Sequence, residues 1–461
     1  MKTQRKHSFS TVLWVYTFVV VAIFVTGCRS EIRLRVLGED SSNLRAMESL
    51  KKEYEEAEHI KIDFRPNTFA DAYKKANQDF ANETGLYDVI LQVNFSLSSF
   101  VRHQYVYNVD SLIKKYSLGQ DSLAFAFEDE LFPNAWKEVG YYYKNPSDVK
   151  DKTIQKIGYP FATNTMLLIY NKKMFDDDTQ KKAYMQRYGE ELCVPKTWEQ
   201  YRKIAAFFTN KTNKTYGVCM QGKADGWLYY EYCDFLYGMG GKIFEKQYGW
   251  QGNENTPIKI NSAEAVKATE FYISMKPYNK GNYTSVGATE QIVLMKEGNI
   301  AMAIAWSDYL YNFVYDEYGK KDKNFGFAPI PGEKSPLAGG CFYVNKQTRY
   351  PEESIKYILS LMQPKVQVAL AKQGLCSPLK TTYEDEDVRR MPYSKALKES
   401  LERGNYMFEA GPESDAIMNI VTNYMQQVWN EEIPVDKALY QMEAEIYKAR
   451  ANAYKRIRKG R

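Results

Sequence analysis

A small set of aromatic and polar side chains in this chain suits one kind of chemistry. Trp227 and Tyr230 precede the glycine-rich turn 238–241, and Trp306 and Asp308 follow the apolar run 300–305. Flat rings cover the C–H faces of a pyranose, while carboxylate and amide groups satisfy its rim of hydroxyls. Further polar residues able to complete such a rim stand at Glu39 and Asp40, at Gln92 and Asn94, and at Asn164. Catalytic constellations are scarce by comparison. Of three histidines, His7 lies in the N-terminal segment, leaving His59 and His103, neither in a motif. That argues against a His-dependent triad or a zinc site of the HExxH type. Carboxylates are plentiful, so a glycosidase-like acid–base pair stays open.

The elements that must position these groups follow from periodicity. Residues 32–37 read as a strand, and Gly38 to Ser42 make a polar turn. Leu44, Met47, Leu50, Tyr54 and Ala57 recur at helical spacing, with Ser41 or Ser42 as N-cap. Ile60, Ile62 and Phe64 alternate as a second strand; Phe69, Tyr73, Ala76 and Phe80 mark a helix; residues 87–93 form a third strand. This β-α-β-α-β order predicts a parallel sheet, whose ligands bind beyond the carboxyl ends of the strands. Glu39, Asp40 and Ser41 lie at one such end, and Gln92, Asn94 and Phe95 at another. Residues 109–156 read as helical or irregular, with a Tyr141–Tyr143 cluster left unassigned.

The stretch 158–175 organises the rest. Met166 to Tyr170 is a buried strand, and Pro160 biases the segment before it towards an extended form. Such a segment entering a core strand suits a crossing between two lobes. Beyond it, Thr197 and Gln200 have capping-box spacing. Asn261 is expected to cap a helix running to about Met275, and residues 300–305 form an apolar strand. Residues 325–330 and 339–344 complete the sheet, Pro351 starts a helix, 373–378 turn, and the remainder is helical.

Composition bounds the class. At 461 residues, 44% hydrophobic and 26% charged, the chain is globular and exceeds one comfortable core. Its formal charge of +5 falls to +2 without Lys2, Arg5 and Lys6, so no nucleic-acid footprint is present. The unusual count is aromatic: 38 Tyr, 23 Phe and 7 Trp. At the N-terminus a basic head precedes the apolar run 12–25, too short for a membrane span, and then Val25-Thr26-Gly27-Cys28. This resembles the bacterial lipoprotein cleavage motif, which implies removal of residues 1–27 and acylation of Cys28. Export places the body outside the cytoplasm. The remaining cysteines, Cys193, Cys219, Cys233, Cys341 and Cys376, are odd in number and lack CxxC spacing.

Eight short motifs then fall in one order: YDVI at Tyr87, YPFATNTMLLIYNKKMF at Tyr159, PKTWEQ at Pro195 and GMGGKIF at Gly238, followed by EGNIAMAIAW at Glu297, FGFAPIPG at Phe325, LAGG at Leu337 and QGLCSP at Gln373. Together they resemble the extracellular solute-binding proteins of bacterial ABC importers, in the maltose-binding-protein-like branch, across nearly all of the mature chain. The resemblance implies an α/β, two-lobed periplasmic-binding-protein fold of type II, with three hinge crossings near 159–165, 338–342 and 374–379. The expected N-lobe is then 28–158 with 338–378, and the C-lobe 159–337 with the helical 379–461. Asn164 stands where the family places a polar contact in the first crossing. Tyr230 and Trp227 stand where it has an aromatic platform, and Trp306 where a tryptophan stacks on sugar. The maltose type offers Trp and Asp after the third strand, whereas Gln92, Asn94 and Phe95 stand here, so the particular solute is open. The implied protein is a monomeric, lipid-anchored receptor that passes a carbohydrate to an ABC permease, without enzyme activity, cofactor or metal. Two other readings compete: a surface glycan-binding lipoprotein of the starch-utilisation type, and an anchored glycoside hydrolase. Cys341 and Cys376, in neighbouring crossings, are placed to meet.

Overall fold

A computed structural model describes residues 31–93, 96–118, 122–132, 136, 139–145, 153–224, 226–245, 254–315, 320–332, 334–403, 406–407 and 411–459. The lipoprotein motif with Cys28, and Asn94 and Phe95, lie outside them. Strands β1 (Arg33–Glu39), β2 (Lys61–Asn67) and β3 (Val89–Val93) alternate with helices α1 (Ser42–Glu58) and α2 (Phe69–Asn82). β1 pairs in parallel with both β2 and β3, as the alternation of elements predicts. The tyrosine cluster is not irregular: β4 (Tyr141–Tyr143) pairs antiparallel with β5 (Ile154–Lys156).

The central element is β6 (Tyr159–Asn171), 13 residues where the sequence suggests five. Its first half pairs with β10 (Pro336–Val344), from Tyr159–Phe342 to Thr165–Leu337. Its second half pairs with β8 (Ile300–Trp306) and with β9 (Phe325–Pro329). The strands therefore run β2-β1-β3-β10-β6-β8-β7, with β7 at Tyr216–Cys219, β9 beside β6, and β11 (Tyr406–Met407) beside β10. Pro160 is tolerated inside β6 because it sits at an irregularity of the ladder, between Gly340 and Cys341, where an amide donor is not needed. Side chains on Gly339 and Gly340 would collide with Val139 and the Phe161 ring, so only glycine lets β10 pass there.

Two apolar clusters lie along this path, the second reaching from Leu37, Ala76, Phe80 and Ile90 of the first βαβ units across to the far side of β6. One joins Leu34, Val36, Ile62, Phe64 and Phe342 to Ile355 and Ile358 of α7 (Pro351–Leu361). The other joins Met166, Leu168, Val218 and Ile304 to α3 (Trp198–Phe208), α4 (Trp227–Gly238), α5 (Ala263–Ser274), α6 (Ala288–Lys296) and α8 (Ser414–Trp429). The Thr197–Gln200 capping box is present at α3, whereas α5 is capped by Ser262, whose Oγ accepts from Ala265 N at 3.3 Å, and not by Asn261. Ser41 occupies the N-cap of α1 without a side-chain cap bond, and Ser42 is used across the lobes instead. The five cysteines named above other than Cys28 are free thiols, so Cys341 and Cys376 do not pair.

The second core holds an unusual pair. Glu231 and Asp234, on one face of α4, are wholly buried, and none of their carboxylate oxygens has a hydrogen-bond partner among the described residues. The Gln221 backbone amide acts favourably on Glu231 but is short of hydrogen-bond geometry. The Tyr201 and Tyr283 hydroxyls, also unpartnered, share the site. Burial pushes both carboxyls well above the usual carboxylate range, and for Asp234 the Glu231 charge adds to it.

Candidate functional site

A cleft of about 450 Å³ opens between the lobes. One wall is the carboxyl edge of the parallel strands: Glu39, the last residue of β1, with Asp40, and Asn67, the last residue of β2, with Thr68 and Phe69. The Asp40 amide donates to the Asn67 carbonyl at 2.8 Å, which holds the two strand ends together. The facing wall is Trp227, Tyr309, Lys223 and residues 288–290. Trp227 stands at the first turn of α4, after Gly226 at φ 106°. β8 runs into a single turn, Ser307–Tyr309, which swings Tyr309 back over the cleft.

Glu39 and Phe69 also line a much smaller cavity of about 20 Å³, with Ser41, Asn43, Gln92, Asn164 and Asp308. Gln92 and Asp308 are each 4% exposed, and Gln92 Oε1 and Asp308 Oδ1 have no partner among the described residues. Asn43 is already committed: it accepts from the Cys376 amide at 2.9 Å and donates to Asn164 Oδ1 at 3.4 Å.

The lobes touch across this cleft. The Tyr309 hydroxyl donates to Glu39 Oε1 at 2.8 Å. The Ser42 hydroxyl faces the carbonyl oxygens of Asp308 and, at 3.1 Å, Gly374. The Phe69 ring meets the Tyr230 ring edge-on at 6.2 Å, and Tyr73 donates to Asp415 at 2.9 Å. Aromatic contacts continue inward, with Trp227 against Tyr309 at 5.9 Å and Tyr230 against Trp306 at 5.4 Å. Burial raises the Glu39 carboxyl to about 7, helped by the Asp40 charge and opposed by the Tyr309 hydrogen bond. Burial, with the Glu39 charge, lifts Asp308 well above its usual range.

The structure thus brings Glu39, Asp40 and Trp227 to the outer cleft, and Glu39, Gln92, Asn164 and Asp308 to the inner cavity. Asp40 is exposed and bound by Arg45 through two contacts, 2.8 and 3.1 Å. Tyr230 is half-buried between Phe69 and Trp306, and Trp306, 5% exposed, lies beneath it without lining either space. Tyr309, Lys223 and residues 67–69 join the site without having been singled out in the sequence. The rule that assigns ligands to strand ends reaches 67–69 as readily as Glu39. Tyr309 adjoins Asp308, and its role depends on a turn that periodicity does not show.

Comparison with known proteins accords with this geometry. Residues 49–396 match the model of a family described as bacterial extracellular solute-binding protein. A mannitol-binding protein of Pseudomonas aeruginosa is 27% identical over 192 residues, 40% of this chain and 38% of that protein. The chain thus spans about two fifths of the length of that curated relative. An ABC-transporter solute-binding protein from Agrobacterium radiobacter, solved with ribitol, superposes with a TM-score of 0.74 at 18% identity, over 90% of this chain and 98% of that one. A maltose-bound MalE3 protein of T. maritima gives 0.70 at 15%, over 90% and 99%. At these identities the likeness establishes the two-lobed binding-protein fold. With three quarters of its length inside the family model, this chain belongs to the bacterial extracellular solute-binding proteins, which bind and do not convert their solutes.

Proposed function

We propose that the chain is the receptor of an ABC importer and binds a sugar or polyol in the interlobe cleft before delivering it to a membrane permease. The observation that carries this is the cleft itself, which faces Trp227 and Tyr309 rings with Glu39, Asp40, Asn67 and Thr68 in one space of about 450 Å³. Rings and hydrogen-bonding groups in that combination match the two surfaces of a polyhydroxylated carbon skeleton. Proteins solved with ribitol and with maltose share the fold, and mannitol is named for the curated relative. The lobes are read as 28–158 with 338–378, and 159–337 with 379–461, closing on the ligand as a monomer. Support for this comes from β10, which pairs with β3 of one lobe and with β6 entering the other.

Melting the mature domain against a panel of sugars and polyols tests the reading. A compound that binds only the folded state adds about 2.7 kcal/mol at a hundredfold excess over its Kd. A clear rise in Tm, with the compound recovered unchanged by chromatography, is the expected result. No rise across the panel, or a new product, overturns it.

Anchoring through Cys28 completes the proposal, because several acyl chains on one residue hold a protein where a single chain gives only marginal binding. No helix among the described residues is long and apolar enough to cross a membrane. Cys28→Ser is expected to abolish acylation and move the protein from the membrane to the soluble fraction. Retention of an acylated, membrane-bound variant rules the anchor out.

A further inference from the structure

The inner cavity sets two buried carboxyl groups beside unmatched polar atoms and holds no cation. Glu39 and Asp308 contribute carboxylates and Gln92 an amide oxygen, while Asn43 has spent both its polar atoms elsewhere. Side-chain donors on its wall are the Ser41 hydroxyl and the amide nitrogens of Gln92 and Asn164. Asp308 Oδ1 and Gln92 Oε1 are buried with no partner among the described residues, on side chains more than nine-tenths buried. A buried polar atom left unmatched is destabilising, more so when charged, so the site calls for a partner from outside.

No Lys, Arg or His lines this cavity. Arg45 is held by Asp40 in the open, and Lys223 faces the outer cleft, 3.8 Å from Glu290. No group of three metal-ligating side chains occurs among the described residues either. The volume, about 20 Å³, admits one head group the size of a water molecule. A hydroxyl brings one donor and no charge, so it leaves both carboxyls in the protonated form that burial favours. An ammonium brings three donors, no acceptor and one positive charge. Two carboxyl groups and the unmatched Gln92 oxygen face the space. The cavity also shares Glu39 and Phe69 with the outer cleft, so the two spaces adjoin at those side chains.

We propose that the ligand is an amino sugar or amino polyol, with its ammonium in the inner cavity between Glu39 and Asp308 and its hydroxylated body in the outer cleft. This rests on the reading of the cleft as a sugar or polyol site and narrows it. The ionisable groups facing the two carboxyls are Asp40, Tyr230 and Tyr309 around Glu39, and Cys376 beside Asp308. None is a cation. Since burial holds both carboxyls towards the protonated form, seating an ammonium between them drives their protons into solution, and a neutral ligand does not.

Titration calorimetry of the mature protein with matched pairs decides the matter: glucosamine with glucose, galactosamine with galactose, and glucamine with sorbitol, in buffers of different ionisation enthalpy at pH 6.5. In at least one pair the amino member is expected to bind tenfold or more tighter and to release protons. Asp308→Asn and, independently, Glu39→Gln should erase that preference while the neutral partner's affinity changes less. If every pair that binds favours the neutral member or neither, the ammonium site is wrong and the sugar reading stands. If no member of any pair binds, both fail.

Discussion

Between pH 5 and pH 8 the folded protein is expected to lose about 2 kcal/mol of stability or more, and replacing the buried acids of α4 should remove much of that loss. Glu231 and Asp234 are held protonated in the fold by burial and ionise freely once unfolded. The native state therefore binds more protons than the unfolded chain from the ordinary carboxylate range, near 4, up to the raised native values. Stability falls with rising pH throughout that window, by up to about 1.4 kcal/mol per unit for each such group. Glu39, at about 7, and Asp308 act in the same direction, so some slope survives in the variants. The exposed carboxylates Glu384, Asp387 and Glu431 have lowered values, and their opposite contributions are complete below pH 5. Urea unfolding at pH 5, 6.5 and 8 on the parent, Glu231→Gln and Asp234→Asn measures the slopes. A slope in both variants equal to that of the parent refutes the assignment.

Trp306→Ala is expected to destabilise the fold by about 3–5 kcal/mol, the cost of deleting a large buried aromatic side chain. The indole is 5% exposed and supports Tyr230, which in turn meets Phe69 across the lobes. Withdrawing that support should also weaken ligand binding about tenfold, equivalent to about 1.4 kcal/mol. Trp306→Phe, which keeps a ring under Tyr230, should recover most of both. Calorimetry and urea unfolding on the same two variants separate the effects. Unchanged affinity alongside a large stability loss reduces Trp306 to a core residue, and unchanged stability contradicts its burial.

The N-terminal βαβ units were legible because their periods are clean: Ile60, Ile62 and Phe64 alternate, and the α1 and α2 faces repeat at helical spacing. β6 was half legible. Its apolar second half reads as a strand, but its first half, with Pro160 and a run of Thr and Asn, is held extended only by β10. The same holds for the tyrosine hairpin, whose partner Ile154–Lys156 carries no strand signal of its own. At the site, Glu39, Gln92, Asn164, Trp227 and Asp308 could be picked out because strand and helix ends are visible in sequence. Their sorting into an outer cleft and an inner cavity was not visible, since it depends on how the lobes meet. The buried acids of α4 gave no signal either, because among tyrosines and apolar residues they look like an ordinary helix.

The pairing of β3 with β10 sets the order in which this chain can be completed. Val93 lies opposite Gly340, so the first lobe's sheet keeps an open edge at β3 until residues near 340 have been made and brought back. Contacts spanning that much sequence carry a large loop-closure cost and slow folding. While that edge stays open, the strands made first have no finished sheet to join, so the lobe cannot close on its N-terminal half alone. The lobe that presents Glu39 and Gln92 is thus the first to be started and among the last to be closed.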